Sequence, residues 1–528
     1  MPFRIVVILS VLFFITSYTF SQSTEIITGN VSDGNKSLQG AIVKWQASSE
    51  KVITDNKGNF ELKKSGKSNS DLISAWKNGY FNGGTVYKEG SNNIKIVLSP
   101  LYFNDNKNYN FVDPVPNLTD VIKNCGDCHS SIIYKQWSNN SHAKSASNPL
   151  FFDLYNGTDA SGNKKVQPGY KIDYEYSNGN CGNCHAPAAA INNFNNVDMN
   201  NLTQAEKLGV SCDFCHKVKD VKLNLNSSVF TGVMNYEMLR PPEDHQIFFG
   251  PYTDVLDPDV YSEKFSQSLF CAPCHRGGYW GIPIYDSYDQ WANSQYAKEG
   301  VSCQDCHMTP DGKTTNFAPG KGGVERDPKT IYTHILYGSR DSAFIASAVK
   351  LSVKVAIKKG NAVVDVVVEN TGAGHHIPTD QPMRNILLVV RAFDSKGKEL
   401  KYNGKNIIPF WGGRGNVKDG NYEGYPGKGF AKILFEDWTQ YERIKVEPKS
   451  QQIYPAPQWR TVKIKYDTRI PAMGQDKSKY EFELNKTGNA YTVVCSLIYR
   501  RTFKSWAQMK NWNLKDLVIA EKKLEVKK

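Results

Sequence analysis

The chain carries the pattern Cys-x-x-Cys-His five times, and no other feature narrows its fold as much. The sites are Cys125/Cys128/His129, Cys181/Cys184/His185, Cys212/Cys215/His216, Cys271/Cys274/His275 and Cys303/Cys306/His307. They use ten of the eleven cysteines, so the disulfide framework that cysteines in an exported chain would suggest does not arise. Two thiols three positions apart reach the two vinyl groups of one porphyrin, and the next residue turns its imidazole to the iron. Zinc would not require a histidine after every pair, and a thioredoxin-like dithiol needs one pair only. The expectation is five covalently bound haem c groups. The ten cysteines hold the porphyrins, and His129, His185, His216, His275 and His307 are the proximal iron ligands.

Spacing suggests duplication. Cys181 and Cys212 are 31 residues apart, and Cys271 and Cys303 are 32 apart. The second member of each pair has the same lead-in, Gly209-Val210-Ser211-Cys212 and Gly300-Val301-Ser302-Cys303. Each lead-in follows a short polar, helix-compatible stretch. A repeated two-haem unit is expected, with the two porphyrins of a unit held close together.

Ten histidines are present, and five remain after the motifs: His142, His245, His334, His375 and His376. A second axial histidine closes an iron to ligands and suits an electron carrier, whereas an open iron suits catalysis. His142, His334 and His375 rank first as distal ligands, and His245 joins them as a candidate. Glycines in Gly372-Ala373-Gly374-His375 allow close approach of backbone to a flat cofactor. His375 and His376 point apart on a regular backbone and serve one iron between them. That count leaves four distal histidines for five irons, with the fifth taking Met, water or a ligand from another chain.

These residues carry a resemblance. Cys125-Gly126-Asp127-Cys128-His129, followed by Trp137 and Ser141-His142-Ala143, looks like the first haem region of the cytochrome c-552/4 multihaem family. That family includes the tetrahaem electron carrier of ammonia oxidisers, which serves hydroxylamine oxidoreductase. The Gly-Val-Ser-Cys lead-ins, Thr333-His334 and Gly374-His375-x-x-Pro378-Thr379 are similar too, and the likeness runs from about 120 to 385. It implies stacked haem pairs, with His142, His334 and His375 as distal ligands. Two departures stand out: Asp380 occupies a place where relatives often have Gly, and residues 251–270 hold no His.

The flanks read as β. Residues 22–100 contain the alternating run Asn93 to Ser99, a turn at Asn56-Lys57-Gly58-Asn59, and no Cys or His, so they can ligate nothing. Thr54-Asp55-x-x-Gly58-x-Phe60 and Gly79-Tyr80 resemble a carboxypeptidase regulatory-like domain, which implies a small sandwich without catalysis. Residues 101–120, with Pro114 and Pro116, read as a linker, 121–344 as the pentahaem region and 345–528 as a C-terminal β domain that contributes a haem ligand. Val349 to Ile357 alternates, Lys359-Gly360-Asn361 turns the chain into Ala362 to Val368, and that hairpin leads into the His375 motif. Cys495 reads as a buried inert thiol and Lys522 to Lys528 as a solvated tail. The expected class is multidomain: a small N-terminal β-sandwich, a mainly helical and loop multihaem region, and a C-terminal β-sandwich.

Arg4, the apolar run Ile5 to Ile15, and Thr19 with Ser21 read as a signal peptide over 1–21. No integral membrane segment is expected after its removal, and the chain is expected in the periplasm or outside the cell. The formal charge of +12 does not argue for nucleic acid, because the propionates of five haems would add about ten negative charges. Redox partner proteins are the expected partners, with self-association left open. The leading expectation is a non-enzymatic electron carrier. One alternative is an oxidoreductase acting on a small nitrogen or sulfur compound at a five-coordinate haem. The other is a subunit of a conductive filament. Pentahaem nitrite reductases share the haem number, but usually place Lys in one motif where all five here have His.

Overall fold

The computed structural model describes residues 25–527, apart from 102, 117–123, 130–131, 227–228, 320–321, 437–454 and 486–488. The segment read as a signal peptide lies outside the described residues. No helix among those described is long and apolar enough to cross a membrane.

The chain is β-rich at both ends and built of short helices and loops between them. At the N-terminus, Ile26–Ser32 pairs antiparallel with Asn59–Lys63 and parallel with Ile94–Val97. A second sheet runs in the order Lys51–Ile53, Ile42–Trp45, Leu72–Trp76, Gly83–Val86. The alternation in Ile94–Val97 points Ile94 and Ile96 inward, as period-2 patterning requires. Val31, Trp45, Ile73 and Leu98 form one core with them. The turn before Asn59 forms because the Asp55 carboxylate accepts the backbone N–H of Lys57 and Asn59, at 2.8 and 2.7 Å. Gly58 completes it at φ +76°, where a Cβ would stand 2.6 Å from the Val31 carbonyl.

The segment read as a linker is docked where it is described. Leu101 and Phe103 pack on Phe81, Leu239 and Phe249. Asp105 takes a two-pronged bond from the Arg240 guanidinium, at 2.8 and 2.6 Å. Tyr109 donates its hydroxyl to Asp213 at 2.9 Å. The polar residues that made this stretch look loose are the ones that fasten it.

At the C-terminus, Val349–Lys358 and Asn361–Asn370 form the expected hairpin, closing at Lys358 opposite Asn361. Lys359 and Gly360 both take positive φ, 47° and 79°, as a two-residue hairpin turn demands. Gln475–Glu483 adds a third strand. The other sheet runs Gly427–Phe430, Asn385–Asp394, Ala490–Arg500, Leu517–Lys527, and its inner face shares a core with the first. Cys495 is fully buried in that core opposite Val390, and burial pushes its thiol up to about 12. The stretch from Lys522 is no tail: through Lys527 it belongs to the edge strand Leu517–Lys527, whose lysines point to solvent and discourage further pairing.

Buried charge fastens the ends to the middle. Asp254, fully buried, meets Arg326 at 2.9 Å, Lys44 at 3.1 Å and the Ala47 N–H at 2.8 Å. Burial is the largest single influence and would raise its carboxyl, but the Arg326 charge and hydrogen bond, the Lys44 charge and the Ala47 N–H together outweigh it and hold the group below the ordinary 3.8. A depressed folded value means its stabilisation is present above pH 3.8 and lost as pH falls through the lower folded value. On the far side, Arg460 and the Trp459 indole both donate to Asp173, at 2.6 and 2.7 Å.

Replacing Asp254 with Asn leaves the buried Arg326 and the half-buried Lys44 without their counter-charge. Removing one partner of such a group costs about 3 kcal/mol or more. Thermal unfolding followed by circular dichroism is expected to show a Tm several degrees lower in Asp254→Asn at pH 7. An unchanged Tm would mean the cluster does not hold the N-terminal sheets in place.

Candidate haem-binding site

Each motif folds as about one helical turn: Cys125–His129, Gly182–His185, Cys212–Cys215, Ala272–His275 and Cys303–His307. A helical turn puts residues three apart on one face, so both thiols of a pair share a side. The repeated lead-ins have a physical purpose. Gly209 and Gly300 take φ of +65° and +78°. The Ser211 and Ser302 hydroxyls then cap their turns, accepting the Phe214 and Asp305 N–H at 3.4 and 3.3 Å. The carbonyls of Val210 and Val301 accept the indole N–H of Trp137 and Trp291, at 2.9 and 2.8 Å.

These indoles redraw the repeat. They belong to Tyr134-Lys135-Gln136-Trp137 and Tyr288-Asp289-Gln290-Trp291, with tyrosine–tryptophan ring centres 5.8 and 5.7 Å apart. The Gln136 amide oxygen accepts the His334 N–H at 2.8 Å, and that of Gln290 accepts the His376 N–H at 2.9 Å. The Cys125 thiol lies against Cys212, and Cys271 against Cys303. So the duplicated unit is the first motif with the third, and the fourth with the fifth. Counting spacings had paired the second with the third. The second motif instead touches the fourth, through Cys184 and Cys274.

All five motif histidines are hydrogen-bonded through Nδ1. His129 is bound to the Phe317 carbonyl at 2.9 Å, His185 to Ser145 at 3.1 Å, His216 to Phe249 at 2.6 Å and His307 to Tyr337 at 2.6 Å. His275 differs: its Nδ1 meets the Asp380 carboxylate at 3.1 Å. Facing acceptors, Nδ1 carries the hydrogen and Nε2 is left with its lone pair for a metal. Sequence reasoning had noted Asp380 only as a departure. Its signal was an acidic side chain at a position suited to glycine, where Asp380 stands at φ +55°.

Two further histidines face motif histidines. The His142 and His275 ring centres are 6.2 Å apart, and those of His375 and His307 are 6.3 Å apart. Two imidazoles bonded from opposite sides to one metal ion, at ~2.0 Å each, put ring centres roughly 6 Å apart. His334 lies beside His216 and His129. Burial lowers the imidazoles of both His142 and His334 to about 4, so each is neutral at pH 7 and fit to donate to a metal. Asn140 ties the two together: its side-chain oxygen accepts the His142 N–H at 2.9 Å and its amide donates to the His334 carbonyl at 2.8 Å. Asn370, at the end of the C-terminal hairpin, donates to the His375 carbonyl at 2.8 Å and so shapes the loop carrying that ring. His376 sits outside the cavity lining, its buried Nδ1 without a hydrogen bond among the described residues. His245 is exposed, also outside that lining, with its Nδ1 on the Glu243 carbonyl at 3.1 Å.

The first four motifs line one continuous cavity of about 1180 Å³, with His142 and His334 on its wall. Protein interiors leave few voids larger than a water molecule, so a space of this size among eight paired thiols and their imidazoles suits large flat groups. Phe151, Tyr155, Tyr170, Phe230, Tyr236 and Tyr279 supply flat apolar walls. Arg340, Arg384 and Arg501 also line it, and none of the three makes a salt bridge among the described residues. Carboxylates such as propionates match them. The buried Thr502 hydroxyl on the same wall has no hydrogen bond among the described residues. The donors present fit haem c.

Residues 124–217 match the family model described as cytochrome c554 and c-prime. No curated protein matches the chain. Among solved structures it is similar to the crystal structure of a penta-heme cytochrome c552 from Thermochromatium tepidum. Identity is 20%, 76% of this chain and 97% of that chain are covered, and the TM-score is 0.52, a likeness of fold. Over residues 124–217 the motifs and the family match support covalently bound haem c of the multihaem cytochrome c kind, and the solved structure adds a likeness of fold.

The facing pairs make a direct prediction. His142→Ala is expected to turn one low-spin haem into a high-spin one that binds nitric oxide, and His375→Ala to do so at a different haem. Optical and electron paramagnetic resonance spectra of the purified holoprotein read this. A variant that creates no high-spin iron is not missing a ligand.

Proposed function

We propose that this chain is an exported pentahaem c-type cytochrome that carries electrons in the periplasm or at the cell surface. The observation that carries the reading is the two pairs of facing histidines, with ring centres 6.2 and 6.3 Å apart, each of which would leave an iron held between them no open position. Haem c, when bound, supplies one-electron exchange between ferric and ferrous iron. The chain's own residues do the rest. Ten cysteines anchor five groups, the Nδ1 hydrogen bonds orient the proximal rings, and aromatic walls exclude water.

His142 and His275 would hold one iron between them, and His375 and His307 another. His334 is assigned to the His216 iron. Its position beside Gln136 matches that of the His375–His376 loop beside Gln290 in the duplicated unit. His245, exposed on its loop, is left out, so three distal histidines remain where four were expected. Residues 22–100 are a carboxypeptidase regulatory-like sandwich that braces the Asp254 side of the haem region, a reading supported by two sheets on one core.

One observation favours a second reading. These assignments give the His129 and His185 irons no distal histidine, since His334 and His142, which lie near them, are assigned to His216 and His275. Either iron, if open, could act on a small nitrogen or sulfur compound.

The intact mass of the mature holoprotein is expected to exceed the apo mass by five haems. A mass matching four or fewer would overturn the count. Binding of nitric oxide by the ferrous protein would favour the second reading, and its absence the pure carrier.

A further inference from the structure

The fourth motif differs from the other four in two independent ways. The first is position. Its Cys271 touches Cys303 of the fifth motif, its Cys274 touches Cys184 of the second, and Cys215 of the third lies close to Cys274. The first motif reaches this group through Cys125 and Cys212. The fourth motif is therefore where the others meet.

The second difference is the acceptor on its proximal ring. Four motif histidines give Nδ1–H to a backbone carbonyl, and only His275 gives it to a carboxylate. Asp380 is held for this. Its other oxygen accepts the Ser287 hydroxyl, which in turn accepts that of Thr379 at 2.6 Å. Its backbone stands at φ +55°, a conformation that strains a non-glycine residue. Glycine would avoid that strain and supply no acceptor. Arg384 is the nearby cation, and it makes no ion pair with Asp380 short enough to replace His275.

We infer that Asp380 is a positioning residue acting through His275, lowering the reduction potential of the haem at the junction relative to what a carbonyl acceptor would give. An anionic acceptor draws the Nδ1 proton toward itself and makes the imidazole a stronger donor at Nε2. A stronger donor favours ferric over ferrous iron. A haem held at Cys271 and Cys274 would thereby be set against keeping an electron, which would favour transfer to groups held by the neighbouring motifs. The inference rests on the proposed attachment of a haem at Cys271 and Cys274.

The test is potentiometric titration of the holoprotein with Asp380→Asn, a side chain that also tolerates positive φ. One haem's midpoint is expected to rise by at least tenfold in the reduction equilibrium, 59 mV for one electron. The low-spin signal and the five-haem mass should persist, and Asp380→Glu should keep the low potential. Ser287→Ala is the second variant. It removes a competing donor from the carboxylate, so the same midpoint should fall. Unchanged midpoints in both Asp380→Asn and Ser287→Ala, with five haems bound, overturn the inference and leave the function standing. A mass short of one haem in the unsubstituted protein overturns the function instead.

Discussion

The hydrogen bond at Nδ1 of each motif histidine is the interaction on which the rest of the arrangement depends. A proximal imidazole on a one-turn helix has little else to fix its plane. The acceptors come from distant parts of the chain: Phe317 for His129, Phe249 for His216 and Tyr337 for His307. Each bond therefore does two things. It sets which nitrogen faces the metal, and it ties a loop to the motif it serves. The middle region has few long elements and an interior its own side chains do not fill, so such ties and the covalently held groups must define its shape.

The two β-rich ends act as walls. Asp254 brings the N-terminal sheets against Arg326, whose guanidinium covers Tyr252 at 4.5 Å and lies 5.5 Å from Phe317. Phe317 is the residue that orients His129, so the N-terminal sheets reach the first haem site without offering it a ligand. The C-terminal sheets contribute more directly, presenting His375 from a loop that Asn370 shapes. They are locked down by Arg460 on Asp173 and by the buried Lys510 ammonium, which donates to the carbonyls of Asp153, Thr158 and Val166 at 2.9, 2.8 and 2.7 Å. Buried charges without partners would be costly, and each here is satisfied by a segment from the other side of an interface.

Much of this could be read from the sequence because its signals are local. Cys-x-x-Cys-His is a complete instruction within five residues, and Lys359-Gly360 between alternating runs admits little but a tight hairpin. Longer-range features were legible only in part. The Gly-Val-Ser-Cys repeat was visible, but its partner, Tyr-x-Gln-Trp, gains meaning only when the Trp137 and Trp291 indoles reach the valine carbonyls. Whether a histidine is buried depends on tertiary packing, and nothing around His245 announces that its loop faces outward. Asp105 and Tyr109 looked like linker residues because a polar side chain reads as solvated until its partner, Arg240 or Asp213, is known. Asp380 could be seen as unusual, but not as the acceptor for a residue 105 positions away.

The central proposal is that three of five irons would be closed by histidine pairs: His275 with His142, His307 with His375, and His216 with His334. Near-infrared magnetic circular dichroism of the oxidised holoprotein, quantified per iron, measures this directly, because bis-imidazole coordination has its own charge-transfer band. The account predicts an intensity equal to three bis-histidine haems out of five. An intensity equal to two or fewer would contradict it.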